Sequence, residues 1–123
     1  MIDTDVLIDF LRGVAKARDY VRSLQNRPFL SAVTVAELYA GVRQGNEQDH
    51  LDRLVGGFRV LPVSSRIAIA GGLYSRQYRP SHGTGTIDAL IAATAEAEGC
   101  VLVTLNRKHF PMLSDLVVPY LKP

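Results

Sequence analysis

The stretch that decides the fold class is Thr86–Leu105, TIDALIAATAEAEGCVLVTL. Its first part predicts a helix from Thr86 to Glu98, which ends at Gly99 because glycine commonly stands just beyond a helix. The run Cys100–Leu105 then predicts a continuous apolar strand with both faces buried. A helix that leads into such a strand indicates a parallel sheet covered by helices on both sides.

Strands and helices alternate along the rest of the chain in the same way. A helix is expected to open at Thr34 and to end at Gly45, because apolar residues recur in it at helical spacing. We therefore expect a three-layer α/β/α domain over residues 1–123, with a central, mostly parallel sheet of about four or five strands. The other predicted helices are Val6–Leu11, Val14–Gln25, Glu47–Val55 and Ser64–Tyr78. The other predicted strands are a very short one at Met1–Asp3, then Phe29–Val33, Arg59–Val63 and Leu116–Val118. The segment Pro80–Gly85 is predicted to be a loop.

The composition excludes several classes of protein. Hydrophobic residues make up 47% and charged residues 21% of the 123 residues, so the chain can bury a core and is not disordered. The single cysteine excludes an intramolecular disulfide framework and a CxxC metal site. No apolar run approaches the roughly 20 residues of a membrane span, and the early acids argue against a signal peptide. We expect a cytoplasmic protein with no membrane association.

Four polar residues are predicted to converge at one rim of the sheet. Asp3 and Asn106 follow strands, while Glu37 and Asp88 are expected in the first turns of helices. Clustered carboxylates repel one another, and a hard divalent cation relieves the repulsion. Mg²⁺ or Mn²⁺ suits such oxygen ligands better than Zn²⁺, because the chain has no set of cysteines and histidines for zinc. Carboxylate-bound Mg²⁺ most often serves phosphate chemistry.

Each of these residues also has a purely structural interpretation. Asp3 could cap the helix that follows it, and Thr34 with Glu37 matches a T-x-x-E capping box. Asp88 would be favoured in a first helical turn by the helix dipole alone. The histidines His50, His82 and His109 share no spacing and are expected to be unpaired.

Four motifs, taken in order, resemble the PIN-domain ribonucleases, and most closely the VapC-type toxins of bacterial toxin–antitoxin pairs. The third motif is the most specific of the four, and the resemblance covers nearly the whole chain. The motifs are Ile2–Asp9 (IDTDVLID), Ser31–Leu38 (SAVTVAEL) followed by Gly41, Thr86–Ala95 (TIDALIAATA) and Val103–Phe110 (VTLNRKHF).

The resemblance implies a Mg²⁺-dependent endoribonuclease that a cognate VapB-type antitoxin inhibits. It implies that Asp3 and Asp88 are metal ligands and that Glu37 joins them directly or through water. It gives Asn106 the role of orienting water or substrate, with Thr104 and Asp5 as supporting residues. A homodimer and an RNA substrate follow from the same resemblance.

One departure from the family pattern leaves alternatives open. Many relatives carry a further acid in the fourth motif, near Asn106 or His109, and this chain has none there. A non-catalytic PIN-like module that binds RNA or a partner is therefore one alternative. The pair Asp3 and Asp5 also matches haloacid-dehalogenase-like phosphatases, but that family needs a later lysine at a strand end and a second acid pair.

Overall fold

The structure is a computed structural model that describes residues 1–122, in which helices alternate with short strands. The helices are α1 (Thr4–Leu11), α2 (Ala15–Ser23), α3 (Ala32–Gly41), α4 (Asn46–Gly56), α5 (Ser65–His82) and α6 (Thr86–Ala97). The strands are β1 (Phe29–Ser31), β2 (Arg59–Leu61), β3 (Leu102–Val103) and β4 (Leu116–Val117), and a 3₁₀ helix covers Arg107–His109. Within this described range, no helix is both long enough and apolar enough to cross a membrane.

The segment Met1–Asp3 joins two pairs of strands into one sheet. On one side the backbone N–H of Ile2 donates to Phe29 O at 3.0 Å, and on the other the N–H of Val103 donates to Met1 O at 2.8 Å. Since β1 pairs with β2 and β3 with β4, both in parallel, the order across the sheet is β2, β1, the Met1–Asp3 segment, β3 and β4. The predicted parallel sheet is confirmed, and its very short first strand is a single bridge at Ile2.

Alternate residues of the central strands pack on opposite faces of the sheet, because successive side chains of a strand point in opposite directions. On one face, Ile2 and Val103 lie in a buried cluster with residues of α1, α3 and α4. On the other face, Met1 and Leu102 pack against Ile91 and its neighbours on α6. Helices therefore cover both faces, which confirms the predicted α/β/α layers.

The start of α3 differs from the prediction. Ser31, at the end of β1, caps the helix by accepting a hydrogen bond from the backbone N–H of Val33 at 3.1 Å. The helix thus begins at Ala32, and Thr34 lies fully buried inside it. The predicted capping box between Thr34 and Glu37 does not form, and Glu37 falls in the second turn. The point at which β1 ends sets this register.

Other boundaries were also predicted wrongly, and α3 ends at Gly41 and not at Gly45. Helix α5 continues past Pro80 to His82 and ends where Gly83 adopts a left-handed conformation with φ of +69°. Pro80 has no N–H to donate to the carbonyl of Arg76, yet the helix continues for two more residues, so the glycine and not the proline ends it. Strand β3 is limited to Leu102–Val103 because its partner β4 offers only two residues in register, and Val101 is 46% exposed.

Helices α5 and α6 pack tightly where Gly71 faces Leu90. A Cβ atom added to Gly71 would lie 2.7 Å from Leu90 Cδ2 and 3.2 Å from Leu90 Cα, so the backbone of α6 would have to move. The next residue, Gly72, has open space at the same atom position. The same substitution can therefore be compared at two neighbouring glycines, one in close contact with α6 and one in open space.

We expect Gly71→Ala to lower the free energy of unfolding by about 1–3 kcal/mol, because an overpacked helix contact strains both partners. Gly72→Ala should leave it unchanged or raise it by up to about 1 kcal/mol, because alanine is the better helix former. Chemical denaturation of both variants measures the difference. Equal effects of the two substitutions would contradict the close contact between the helices.

Candidate functional site

The sequence-predicted site residues lie around the carboxyl end of the central strands. Asp3 ends the first segment, and Thr104 directly follows β3. Asp88 lies in the first turn of α6, and Asn106 precedes the 3₁₀ helix. Ligands of open parallel sheets bind at this edge, because the loops that leave the strands gather there.

Asp3 is held from two sides and is only 5% exposed. Its Oδ1 accepts a hydrogen bond from the backbone N–H of Thr4 at 2.8 Å, which makes it the N-cap of α1. Its Oδ2 accepts one from the hydroxyl of Thr104 at 2.7 Å, and Thr104 Oγ1 in turn accepts from the backbone N–H of Asn106 at 3.0 Å. The structural and the functional interpretations of Asp3 are therefore compatible, because its cap geometry also fixes it at the rim.

Asp5 connects the start of α1 to the end of β3. One carboxylate oxygen accepts from the backbone N–H of Val6 at 2.8 Å, and the other from the backbone N–H of Leu105 at 3.0 Å. These contacts hold the loop after β3 beside Asp3. They fit the supporting position predicted for Asp5.

Glu37 reaches the site through a threonine. Its Oε1 accepts a hydrogen bond from the hydroxyl of Thr4 at 2.7 Å, and Thr4 Oγ1 lies 3.1 Å from Thr34 Oγ1. Thr4 follows Asp3 directly, so this contact brings α3 to the edge of the site. Thr4 was not among the residues predicted for the site, although a hydroxyl beside a candidate ligand is a usable signal.

Asp88, Asn106 and His109 form a second group. Asp88 Oδ2 lies 3.0 Å from Nδ1 of His109, and the Asn106 amide nitrogen lies 2.8 Å from the same Nδ1. The expectation that His109 is unpaired was therefore wrong. The spacing contained a signal, because side chains three residues apart on a 3₁₀ helix are stacked over one another.

Burial and repulsion act together on the carboxyl group of Asp3. Removal from water, followed by the negative charge of Asp5 and then that of Asp88, raises the pKa of Asp3 to about 7, although hydrogen bonds from Thr104 and Thr4 oppose the change. Burial also raises the pKa of Asp5, against the hydrogen bonds from Leu105 and Val6. Across residues 1–122, no lysine or arginine forms an ion pair with Asp3, Asp5 or Asp88.

The donor set suits a hard cation, although the acids are not gathered into a cage. Among the described residues, no group of three or more His, Cys, Asp or Glu side chains could by itself hold a metal ion. Mg²⁺ is commonly bound by one or two carboxylates together with water and substrate phosphates. Asp3 and Asp88 offer such oxygens, and a cation would relieve the repulsion between them. The ligand roles of Asp3, Asp88 and Glu37 stay predictions.

The sequence matches a family model described as the PIN domain over residues 1–114. The chain belongs to the PIN-domain family. The resemblance inferred from the four motifs is thereby confirmed.

Curated relatives cover the chain nearly end to end. Ribonuclease VapC10 of Mycobacterium tuberculosis is 44% identical over 126 residues, which span 100% of this chain and 94% of the relative. Ribonuclease VapC19 of the same organism is 39% identical over 124 residues, with 98% of each chain covered. These two relatives agree with the family membership shown by the PIN-domain match.

Solved structures show the same fold. A toxin–antitoxin complex from Klebsiella pneumoniae contains a chain that matches with a TM-score of 0.84 and 24% identity, over 98% of each chain. VapBC2 from Rickettsia felis, bound to a DNA fragment from its promoter, matches with a TM-score of 0.74 and 25% identity, over 95% of this chain and 94% of that one. At 24% identity, the match to the Klebsiella pneumoniae chain shows a shared fold only.

The raised pKa of Asp3 predicts a stability change with pH in the metal-free protein. A carboxyl group that binds its proton more tightly when folded contributes stability below its unfolded pKa of about 4, and this is lost as pH rises towards 7. Asp3→Asn does not titrate, so its free energy of unfolding should rise relative to wild type by at least about 1 kcal/mol between pH 4 and pH 7.

Urea denaturation in EDTA at several pH values measures this difference. Asp115→Asn, at an exposed position far along the chain, is the matched control, and its difference from wild type should stay flat. A difference for Asp3→Asn that does not change with pH would contradict the raised pKa.

Proposed function

We propose that this chain is an endoribonuclease toxin that hydrolyses RNA phosphodiester bonds with a divalent cation and is inhibited by a VapB-type antitoxin. The observation that carries the proposal is the buried carboxylate of Asp3, held by Thr4 and Thr104 against the repulsion of Asp5 and Asp88. Such strongly perturbed acids are concentrated at functional sites. The relatives named ribonucleases support the reaction class.

In this proposal Asp3 and Asp88 hold Mg²⁺ or Mn²⁺, and Glu37 contributes directly or through water. The ion supplies a bound water of lowered pKa and stabilises charge on phosphate oxygens. Asn106 orients the attacking water or the substrate at the rim. The attacking water breaks the P–O3′ bond and the 2′-hydroxyl takes no part, so we expect products with a 5′-phosphate and a 3′-hydroxyl.

Two residues fix the geometry without touching the substrate. Thr104 is fully buried and connects Asp3 with the backbone of Asn106, so it ties the ligand to the residue that orients water. Asp5 holds the loop after β3 through its contact with the N–H of Leu105. A rigid arrangement of this kind lowers the cost of reaching the reactive geometry.

An apolar cleft beside Glu37 is the proposed antitoxin site. The cleft has a volume of about 220 Å³, and its apolar wall includes Ile8, Leu11, Leu38 and Val42. VapBC2 from Rickettsia felis is a structural neighbour at 25% identity, which supports a VapB-type partner. We propose that an antitoxin segment covers this cleft and inserts a basic residue among the acids.

Three predictions from the sequence are kept as part of this proposal. They are a homodimer, a cytoplasmic location and a single domain over residues 1–123. The exposed side chains of Ile69 and Leu73 on α5 offer apolar surface for a second copy. The family match over residues 1–114 supports the single domain.

We expect purified wild-type protein to cut total bacterial RNA into discrete fragments in Mg²⁺ and not in EDTA. Asp88→Asn and Asp3→Ala should lower the cleavage rate by about 100-fold or more, because each removes a charged oxygen from the proposed metal site. Asp115→Asn, the control, should cleave like wild type. Gel analysis of time courses measures the rates, and end-labelling identifies the product termini.

Folded, antitoxin-free protein that cleaves no RNA under any condition would contradict the nuclease. Binding of RNA that is independent of Mg²⁺ would then favour the non-catalytic module. Release of phosphate from a small monoester, without RNA cleavage, would favour the phosphatase.

We also expect Mg²⁺ to stabilise the folded protein, because the ion binds the folded site and not the unfolded chain. At ten times the dissociation constant the gain is about 1.4 kcal/mol. Thermal melting should rise with Mg²⁺ for wild type and Asp115→Asn and stay unchanged for Asp88→Asn. Melting temperatures that do not respond to millimolar Mg²⁺ in wild type would contradict a cation site in the folded protein.

A further inference from the structure

His109 is the residue of the site to which the proposed reaction gives no role. Its side chain is 31% exposed and that of Asp88 is 29% exposed, so both are partly shielded from water. Nδ1 of the imidazole lies within hydrogen-bond distance of Asp88 Oδ2 and of the Asn106 amide. A single ring nitrogen therefore connects the two motifs that meet at this rim.

The chemistry of the contact decides which way the hydrogen bond runs. An ionised carboxylate only accepts, so Nδ1 must carry a hydrogen and donate it to Asp88 Oδ2. A ring nitrogen that carries hydrogen cannot accept from Asn106, so the Asn106 amide must be turned about, which places its oxygen next to Nδ1 instead of the nitrogen at 2.8 Å. One N–H of the ring then serves both acceptors.

The backbone of His109 is held from the other side by the loop between α5 and α6. The hydroxyl of the fully buried Thr84 donates to the backbone carbonyl of His109 at 2.7 Å. The backbone carbonyl of Thr84 accepts from Ser75 Oγ at 3.1 Å, which anchors the loop to α5. The loop also packs beside the ring, because a Cβ atom at Gly83 would lie at the ordinary contact distance of 3.4 Å from His109 Nε2.

We propose that His109 is a positioning residue for the metal site: its Nδ1–H orients the carboxylate of Asp88 and leaves Oδ1 as the oxygen for the divalent cation. The inference rests on the proposed function, because it assigns Asp88 as a ligand. It also gives a use to the fourth motif, which has no carboxylate. Hydrogen-bonded partners of metal ligands typically change metal affinity by about 10–100-fold when they are removed.

Three substitutions of His109 distinguish the role of Nδ1 from that of Nε2. His109→Asn places an amide nitrogen close to the position of Nδ1, His109→Gln places one close to that of Nε2, and His109→Leu keeps bulk without a donor. Mn²⁺ affinity, measured by electron paramagnetic resonance without RNA, should stay within about threefold of wild type for His109→Asn. It should fall about 10-fold or more for the other two variants.

Cleavage gives a second readout. The Mg²⁺ concentration for half-maximal cleavage should rise by the same factor in His109→Gln and His109→Leu, while the rate at saturating Mg²⁺ recovers. Thermal melting in EDTA checks that each variant is folded. Wild-type affinity in His109→Leu, or retention by His109→Gln with loss in His109→Asn, would overturn the inference. Wild-type protein that binds no Mn²⁺ would overturn it as well.

Failure of the proposed function is distinguishable from failure of this inference. If wild-type protein binds Mn²⁺ and cleaves no RNA, the nuclease is contradicted, and the affinities of the three variants still decide the role of His109. Nitrogen NMR of the histidine rings at pH 8 in metal-free wild-type protein requires no variant to fold. It should show His109 with hydrogen on Nδ1, and an Nδ1 without hydrogen would overturn the inference.

Discussion

The hydrogen bonds on both sides of Met1–Asp3 hold the sheet and the site in one frame. This segment bonds to β1 through Ile2 and to β3 through Met1 and Asp3. Among the described residues, it is the only backbone hydrogen-bonded connection between the two strand pairs. The residue that ends it, Asp3, donates its backbone N–H to Val103 O at 2.8 Å. Because the strands run parallel, the same bonds deliver Asp3, Thr104 and the loop after β3 to one edge.

The buried carboxylates are the main electrostatic cost of this arrangement. Asp3 is buried, Asp5 is half-buried and their negative charges repel, yet each keeps its place through backbone N–H groups at the start of α1. The helix N-terminus partly offsets that cost, because its free N–H groups favour negative charge. The fold thus keeps an acid pair at a point where an ordinary hydrophobic core would exclude it.

Much of the fold could be predicted because it follows from local patterns. Helical spacing of apolar residues and the buried strand before Thr104 were sufficient to predict the α/β/α layers. Boundaries failed where a neighbouring element decides them: Ser31 caps α3 because β1 ends there, and β3 is short because β4 is short. Because α3 begins at Ala32 and not at Thr34, Glu37 lies in the second turn of the helix instead of the first.

By itself the sequence determined the order of helices and strands along the chain, the candidate acids Asp3 and Asp88, and the family to which the protein belongs. Only the tertiary structure decided which side chains touch. Thr104 bonds to Asp3 across 101 residues and His109 to Asp88 across 21, and no local periodicity encodes such pairs. The physical reason is that these contacts depend on strand order and helix phase, which packing of the whole chain sets. The pair of His109 with Asp88 was missed for that reason, although the three-residue spacing from Asn106 was visible in the sequence.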